Sequence, residues 1–187
     1  MPEFSLQLVV FLLCVGAYTI AAAVWDIRIK KIPNKLTLPV FGLGILYQGV
    51  FNGLTGLMDG GLGFLIGFGF LYLLWMIGTG GGGDVKLIGG LSIWLGFTFT
   101  WMVLLGSGFL AAIGAAVIMF YTAMTRGSSK MKDQYLATGK TAKGEKPKVE
   151  TVEQRVRRRP MGYAVPVALA TWMIVLFNLT KFPFVGQ

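Results

Sequence analysis

Long runs without a charged residue are the feature that most limits how this chain can fold. A helix needs roughly 20 consecutive apolar residues to cross the hydrocarbon core of a bilayer. Hydrophobic residues make up 55% of the 187 and charged residues 13%, about half of the usual charged share of roughly a quarter. The pattern predicts an all-α polytopic membrane protein with six transmembrane helices. The uncharged runs cover residues 4–25, 36–58, 60–83, 87–125 and 160–180.

The fourth run is long enough for two short spans with a turn near residues 96–100. The first run has no basic segment in front of it, as a secretory signal would have, so we expect it to be a retained span. Residues 1–187 are predicted to form a single membrane domain. The expected spans are approximately 4–25, 37–57, 60–79, 86–98, 100–124 and 161–180.

Basic residues are distributed unevenly over the predicted connections. Residues 126–159 contain eleven Lys and Arg against four Asp and Glu, and counting the crossings places sixteen of the seventeen basic residues on one face. The positive-inside rule makes that face cytoplasmic, with 126–159 as a long basic cytoplasmic loop and both termini outside. This topology accounts for the net charge of +9. The lipid bilayer is therefore an expected partner, and nucleic acid is not.

The cysteine and histidine counts restrict the chemistry. The chain has one cysteine, Cys14, and no histidine, which leaves no set of preferred zinc ligands and no disulfide within the chain. Cys14 lies in the first apolar run, where we expect it to pack as a small apolar residue. Neither a metal nor a cofactor is expected, and hydrolytic chemistry would come from carboxylates, hydroxyls or lysine.

Two aspartates border apolar spans on the predicted cytoplasmic face. Asp26 follows the first span and Asp84 follows the third, so the crossing count brings both to one membrane depth. Each has a simpler interpretation. Asp26 would pair with Arg28 and Lys30 in the headgroup region, where exposed pairs contribute little. Asp84 would be the N-cap of the next helix.

The residues around the two aspartates form a pair of motifs. Residues 26–34 read DIRIKKIPN, and residues 81–87 read GGGDVKL. Together they resemble the motifs of the type IV prepilin peptidases, the GxGD class of membrane aspartic proteases. The segment RRRPMGYAVPVALAT, residues 157–171, is similar to the start of that family's last span. The matching positions are Asp26, Arg28, Ile32, Pro33 and Asn34 in the first motif and Gly81, Gly83, Asp84, Lys86 and Leu87 in the second.

The resemblance implies an aspartic endopeptidase of the cytoplasmic membrane, with Asp26 and Asp84 as its catalytic pair. It implies a prepilin or preflagellin-like substrate whose leader is cut after a glycine at the cytoplasmic face. Larger members carry a segment with paired cysteines and also methylate the new N-terminus. Because the first span begins within a few residues of Met1, we expect no methyl transfer here. The chain looks like the stand-alone peptidase of tight-adherence (Flp) pilus systems or, as an alternative, the archaeal preflagellin enzyme.

Several interpretations stay open at this point. Lys86 would either tune Asp84 or extend to lipid headgroups. A small proton- or ion-coupled transporter is the rival function, because carboxylates within the membrane also mark ion pathways. A structural membrane subunit is the third, with Gly63 and Gly67 or Gly49 and Gly53 as close-packing sites.

Overall fold

The chain is helical through the part that the structure describes. A computed structural model describes residues 6–78, 81–126 and 162–178, so the predicted basic loop lies outside the described residues from 127 onward. Three stretches are long and apolar enough to cross a membrane, and a fourth, shorter helix is also apolar. An all-helical, membrane-compatible chain is thus confirmed for these ranges. The elements are α1 (Leu6–Ile29), α2 (Asn34–Tyr47), a π-helical turn (Gln48–Asn52), α3 (Gly53–Met76), α4 (Gly82–Arg126) and α5 (Ala164–Phe177).

Helix α1 continues beyond the predicted end of the first span. The sequence predicts an end near residue 25, whereas the helix runs to Ile29. Lys30, with a φ of 54°, then donates its N–H to the carbonyl of Asp26 over 2.9 Å. A left-handed residue directly after the last turn is a common way to end a helix. Asp26 therefore lies within the last turn of α1, and not in a loop after it.

The chain reverses direction between α2 and α3 at Gly53. This glycine has a φ of 61° and a ψ of −150°, a conformation that residues with a β-carbon avoid. A β-carbon on Gly60 would lie 3.5 Å from Cγ of Gln48, although twelve residues of continuous helix span about 18 Å. The reversal lies several residues before the predicted boundary between the second and third spans.

Helix α4 doubles back at Gly96. This residue has a φ of 72° and a ψ of −177° inside the helix. The Thr100 hydroxyl donates to the carbonyl of Ser92 over 3.3 Å, yet eight residues of continuous helix span about 12 Å. Residues 82–95 and 97–126 therefore form two segments that fold against each other, with the turn at the edge of the region where the sequence predicts one.

Glycines on α3 allow it to pack closely against both segments of α4. Gly63 and Gly67 are buried, and a β-carbon on Gly63 would lie 2.7 Å from the backbone of Gly96. Helices in membranes commonly approach each other through small residues. The predicted close packing at Gly63 and Gly67 is confirmed. The other predicted pair is not such a site, because Gly49 is exposed and a β-carbon on Gly53 would contact nothing within 4 Å.

Asp59, on α3, caps the segment of α4 that begins after Gly96. Its Oδ1 accepts the N–H of Phe97 over 3.1 Å, and the first N–H groups of a helix have no partner within it. We expect Asp59→Ala to lower the free energy of unfolding by about 0.5–2 kcal/mol, whereas Asp59→Asn keeps an acceptor oxygen and stays close to wild type. Thermal unfolding in detergent measures both variants. Equal melting temperatures for Asp59→Ala and Asp59→Asn would contradict the capping role.

Candidate active site

Asp26 has a buried side chain that is hydrogen-bonded to the start of α5. It lies on the buried face of α1, four and eight residues after Ala22 and Tyr18. Only 7% of Asp26 is exposed, and its Oδ2 accepts the N–H of Ala164 over 2.9 Å. Ala164 is the first residue of α5, where an N–H lacks a partner within the helix. The interpretation of Asp26 as an exposed headgroup charge therefore does not fit, although Arg28 is exposed.

Gly162 allows α5 to begin directly against this carboxylate. A β-carbon built on Gly162 would lie 2.6 Å from Cγ of Asp26, which is far inside van der Waals contact. The contact therefore requires a residue without a side chain at position 162. The backbone of residues 162–164 packs on Asp26 from one side and donates a hydrogen bond to it.

Asp84 is the third residue of α4. The helix begins at Gly82, and the N–H of Asp84 bonds to the carbonyl of Gly81 over 3.0 Å. Because an N-cap residue precedes the first helical residue, the N-cap interpretation of Asp84 does not fit. Asp84 is half-buried and lines a space of about 240 Å³, which we call the Asp84 cavity. The other lining residues are Phe70, Leu71, Leu74, Gly81, Leu104, Gly108 and Tyr163.

The reversal at Gly96 makes this cavity possible. Asp84 and Gly108 both line it, yet 24 residues of continuous helix would separate them by about 36 Å. With the chain folded back, one wall comes from the end of α3, a second from the start of α4, and a third from the segment after Gly96. The carboxylate of Asp84 therefore borders a space with largely apolar walls.

Tyr163 connects α5 to the Asp84 cavity. Its hydroxyl lies 2.7 Å from the hydroxyl of Ser107. Either hydroxyl can be the donor of this bond, and the Ser107 hydroxyl also lies 3.2 Å from the carbonyl oxygen of Leu104. The next residue, Ala164, is the one that donates to Asp26. Ala164 thus contacts Asp26, and Tyr163, directly before it in the chain, lines the Asp84 cavity.

The two motifs are also adjacent at positions other than the aspartates. A β-carbon on Gly83 would be 3.7 Å from the backbone nitrogen of Ile32, at ordinary contact distance. The hydroxyl of Tyr18 donates to the carbonyl of Leu87 over 3.0 Å, which joins α1 to the start of α4. Ile32 and Leu87 are both buried, so these motif positions form part of the core.

The remaining motif residues occupy different places. Pro33 is the N-cap residue of α2, with a φ of −74° and a ψ of 142°. Asn34 and Lys86 line a second cavity of about 250 Å³ that also contacts α3. Its lining residues and those of the Asp84 cavity are different. Lys86 therefore faces a different space from Asp84, and its side chain is exposed.

Three residues of this site were not identified from the sequence. Gly162 and Tyr163 lie in the segment 157–171 that the motif comparison noted, but neither was selected, and Ser107 was not considered. A serine inside an apolar run is a weak signal, because a hydroxyl there often bonds only to its own helix. In residues 6–78, 81–126 and 162–178, no group of three or more His, Cys, Asp or Glu side chains is arranged to hold a metal ion.

The fold and the site define a class: a helical, membrane-compatible protein in which Asp26 bonds to the first residue of α5 and Asp84 shares a cavity with the residue before it. The model of the type IV leader peptidase family matches residues 9–119, a range that includes both aspartates. Because the match covers more than half of the chain, the protein belongs to this family of membrane proteases. The match ends before α5, so the contacts of residues 162–164 come from the structure alone.

Two curated relatives support the same conclusion. The chain is 32% identical to the prepilin leader peptidase/N-methyltransferase of Escherichia coli (strain K12) over 108 residues, 54% of this chain and 47% of the relative. It is 29% identical to the protein of the same name from Neisseria gonorrhoeae over 113 residues, 57% of this chain and 39% of the relative. The aligned part thus spans less than half the length of each relative. No solved structure matches the chain.

Proposed function

We propose that this protein is a membrane-embedded aspartic endopeptidase that removes leader peptides from prepilin-like substrates, with Asp26 and Asp84 as its catalytic pair. The observation that carries the proposal is that two consecutive residues at the start of α5 lie next to Asp26 and in the lining of the Asp84 cavity, respectively. Ala164 donates to Asp26, and Tyr163 lines the cavity of Asp84. Membership of the leader peptidase family supplies the reaction class.

Two carboxylates are sufficient for peptide hydrolysis in a chain without histidine. Held close together, they retain one proton between them, so that one acts as base while the other acts as acid. The base removes a proton from water, whose oxygen attacks the carbonyl carbon of the scissile bond. The acid then protonates the departing nitrogen as the carbon–nitrogen bond breaks. The pair titrates as a unit, and the two roles are left unassigned.

The proposed substrate has a short basic leader, a glycine, and then an apolar helix in the membrane. Six spans with the acids at the cytoplasmic face would place the scissile bond after the glycine at the depth of Asp26 and Asp84. Among such substrates we favour Flp-type prepilins. Methyl transfer, which the relatives' names include, is left out of the proposal, because the resemblance links it to paired cysteines and this chain has only Cys14.

The proposed topology predicts opposite accessibility for Ser129 and Thr55. Ser129 belongs to the basic segment 126–159, and Thr55 lies near the reversal at Gly53, which the proposed topology puts on the opposite side of the membrane. Single cysteines at these positions, in a Cys14→Ala background, are expected to react with a membrane-impermeant thiol reagent from opposite sides. Labelling of both from the same side would show that the span count is wrong and that the two acids need not share a face.

Co-expression with a membrane-anchored prepilin tests the activity itself. The expected result is a smaller pilin only when the peptidase is present, detected as a size shift on a gel. Unprocessed pilin together with proton or ion flux in vesicles that contain the purified protein would favour the transporter over the peptidase.

A further inference from the structure

The second cavity, between α2, α3 and α4, combines polar and aromatic side chains. It measures about 250 Å³ and includes Asn34 and Lys86 in its lining, and we call it the Lys86 cavity. Neither Asp26 nor Asp84 is among its described lining residues, so the proposed peptidase mechanism makes no use of this space. The large apolar side chains of the lining are Leu38, Phe41, Phe64 and Phe68.

The polar side chains of the Lys86 cavity lie at one end of it. Asn34 is the first residue of α2, Lys86 is the fifth residue of α4, and both are exposed. The two helix starts are level with each other, because a β-carbon on Gly83 would lie 3.7 Å from the backbone nitrogen of Ile32. An amide and an ammonium group therefore lie together at the level of the connection between α1 and α2.

The apolar end of the cavity lies further along the same helices. Phe41 is seven residues after Asn34, which is about 10 Å along the helix axis. Its ring centroid lies 4.9 Å from that of Phe64, and Phe64 stacks on Phe68 at 4.9 Å. Leu38 is 65% exposed, so the cavity borders the outer surface of α2. The space therefore runs along the helices from a polar mouth to an aromatic floor, beside a surface that would face lipid.

The charge around the mouth of the cavity is positive. Lys86 is the only charged residue among the described residues of the lining, and residues 27–36 add four basic residues and no acidic one. A lysine side chain can lie along apolar surface while its ammonium group reaches the headgroup region, and basic residues near a membrane surface attract anionic lipids. An anionic headgroup therefore fits this mouth, whereas the basic leader of the proposed substrate does not.

We propose that the Lys86 cavity binds an anionic phospholipid, with the phosphate at Lys86 and Asn34 and part of one acyl chain against Phe41, Phe64 and Phe68. A cavity of about 150 Å³ holds benzene, so about 250 Å³ holds a segment of an acyl chain. A peptide helix is about 10–12 Å wide and does not enter. A bilayer presents a phosphate above an apolar chain, in the order of the polar mouth and the aromatic floor. This assigns the Lys86 side chain to a lipid headgroup, independently of whether the protein cleaves prepilins.

The test is native mass spectrometry of the protein in detergent micelles that contain equal amounts of dioleoyl phosphatidylglycerol and dioleoyl phosphatidylcholine. The two lipids share their acyl chains and phosphate and differ in net charge. Their ratio in complexes that carry one lipid does not depend on the amount of folded protein. For the wild type we expect about fivefold more bound phosphatidylglycerol, the effect of one basic residue near an anionic surface. Lys86→Gln should bring the ratio close to one, and Lys86→Arg should keep it. Lys35→Gln is the matched control and should also keep it, because Lys35 is exposed and is not among the lining residues.

Four results would overturn the assignment. A wild-type ratio near one excludes a preference for anionic lipid. A ratio that is unchanged in Lys86→Gln places the bound lipid elsewhere on the protein. A ratio that falls equally in Lys35→Gln shows an effect of the general surface charge. Displacement of phosphatidylglycerol by millimolar inorganic phosphate identifies a site for a free anion. We expect no such displacement, because inorganic phosphate has no acyl chain to contact the aromatic floor.

Discussion

Asp26→Asn and Asp84→Asn are each expected to abolish leader cleavage, with losses of about 10²–10⁴-fold or more, the contribution of a positioned acid or base. Asparagine keeps the volume of aspartate and one acceptor oxygen, but it neither gains nor loses a proton at working pH. In Asp26→Asn the amide oxygen still accepts the N–H of Ala164, the bond that aspartate makes over 2.9 Å. The start of α5 should therefore stay in place while the chemistry is lost.

The double variant and a third aspartate distinguish catalysis from packing. If the two residues act as a unit, as proposed, the double variant should be about as inactive as either single one. Asp59→Asn should cleave like the wild type, because Asp59 caps the segment after Gly96 through Phe97. Pilin processing is compared at matched expression. Substantial cleavage by Asp84→Asn or Asp26→Asn would exclude the affected residue from the catalytic pair.

Gly162→Ala is expected to reduce cleavage by at least tenfold without unfolding the protein. The added β-carbon would lie 2.6 Å from Cγ of Asp26, so either the carboxylate or the start of α5 has to move. A displacement of about 1 Å at a reacting group is enough to cost roughly 10²-fold in rate. The measurement is the rate of pilin processing, together with the melting temperature in detergent.

Gly42→Ala is the matched control for this variant, because a β-carbon on Gly42 would contact nothing within 4 Å. It should process pilin at the wild-type rate. If Gly162→Ala also keeps the wild-type rate, the close contact between residue 162 and Asp26 has no bearing on cleavage. A lowered melting temperature with a normal rate would assign Gly162 to packing alone.

Most of the fold follows from the sequence because burial in lipid restricts the chain to a few structures. Uncharged runs of membrane length predict helices directly, since backbone polar groups need partners within the segment. The run over 87–125 is too long for one span, which is why a reversal near Gly96 was predictable. The reversal at Gly53 was not located correctly, because residues 51–58 carry no charge and several glycines compete for the turn.

The candidate site was predictable only in part. Asp26 and Asp84 stand out because charged residues are rare beside apolar spans, and the motifs around them are specific. The hydrogen bond between Asp26 and Ala164 joins positions 138 residues apart. No local sequence pattern predicts a contact over that separation. The link between Tyr163 and Ser107 likewise depends on how α5 packs against the folded-back segment of α4. Contacts of this kind depend on tertiary packing and can be identified only from the structure.

The position of α5 at the end of the described chain sets an order for assembly during synthesis. Helices α1 to α4 carry both aspartates, but the N–H that holds Asp26 and the tyrosine that borders Asp84 arrive only with residues 163–164. Chains are made from the N-terminus, and earlier parts fold first. A nascent chain that ends near residue 126 therefore has both acids in the membrane and an unfinished site. If the proposed function holds, the contacts that surround the catalytic pair are completed by the last described helix, and cleavage would begin only after α5 has packed against α1 and α4.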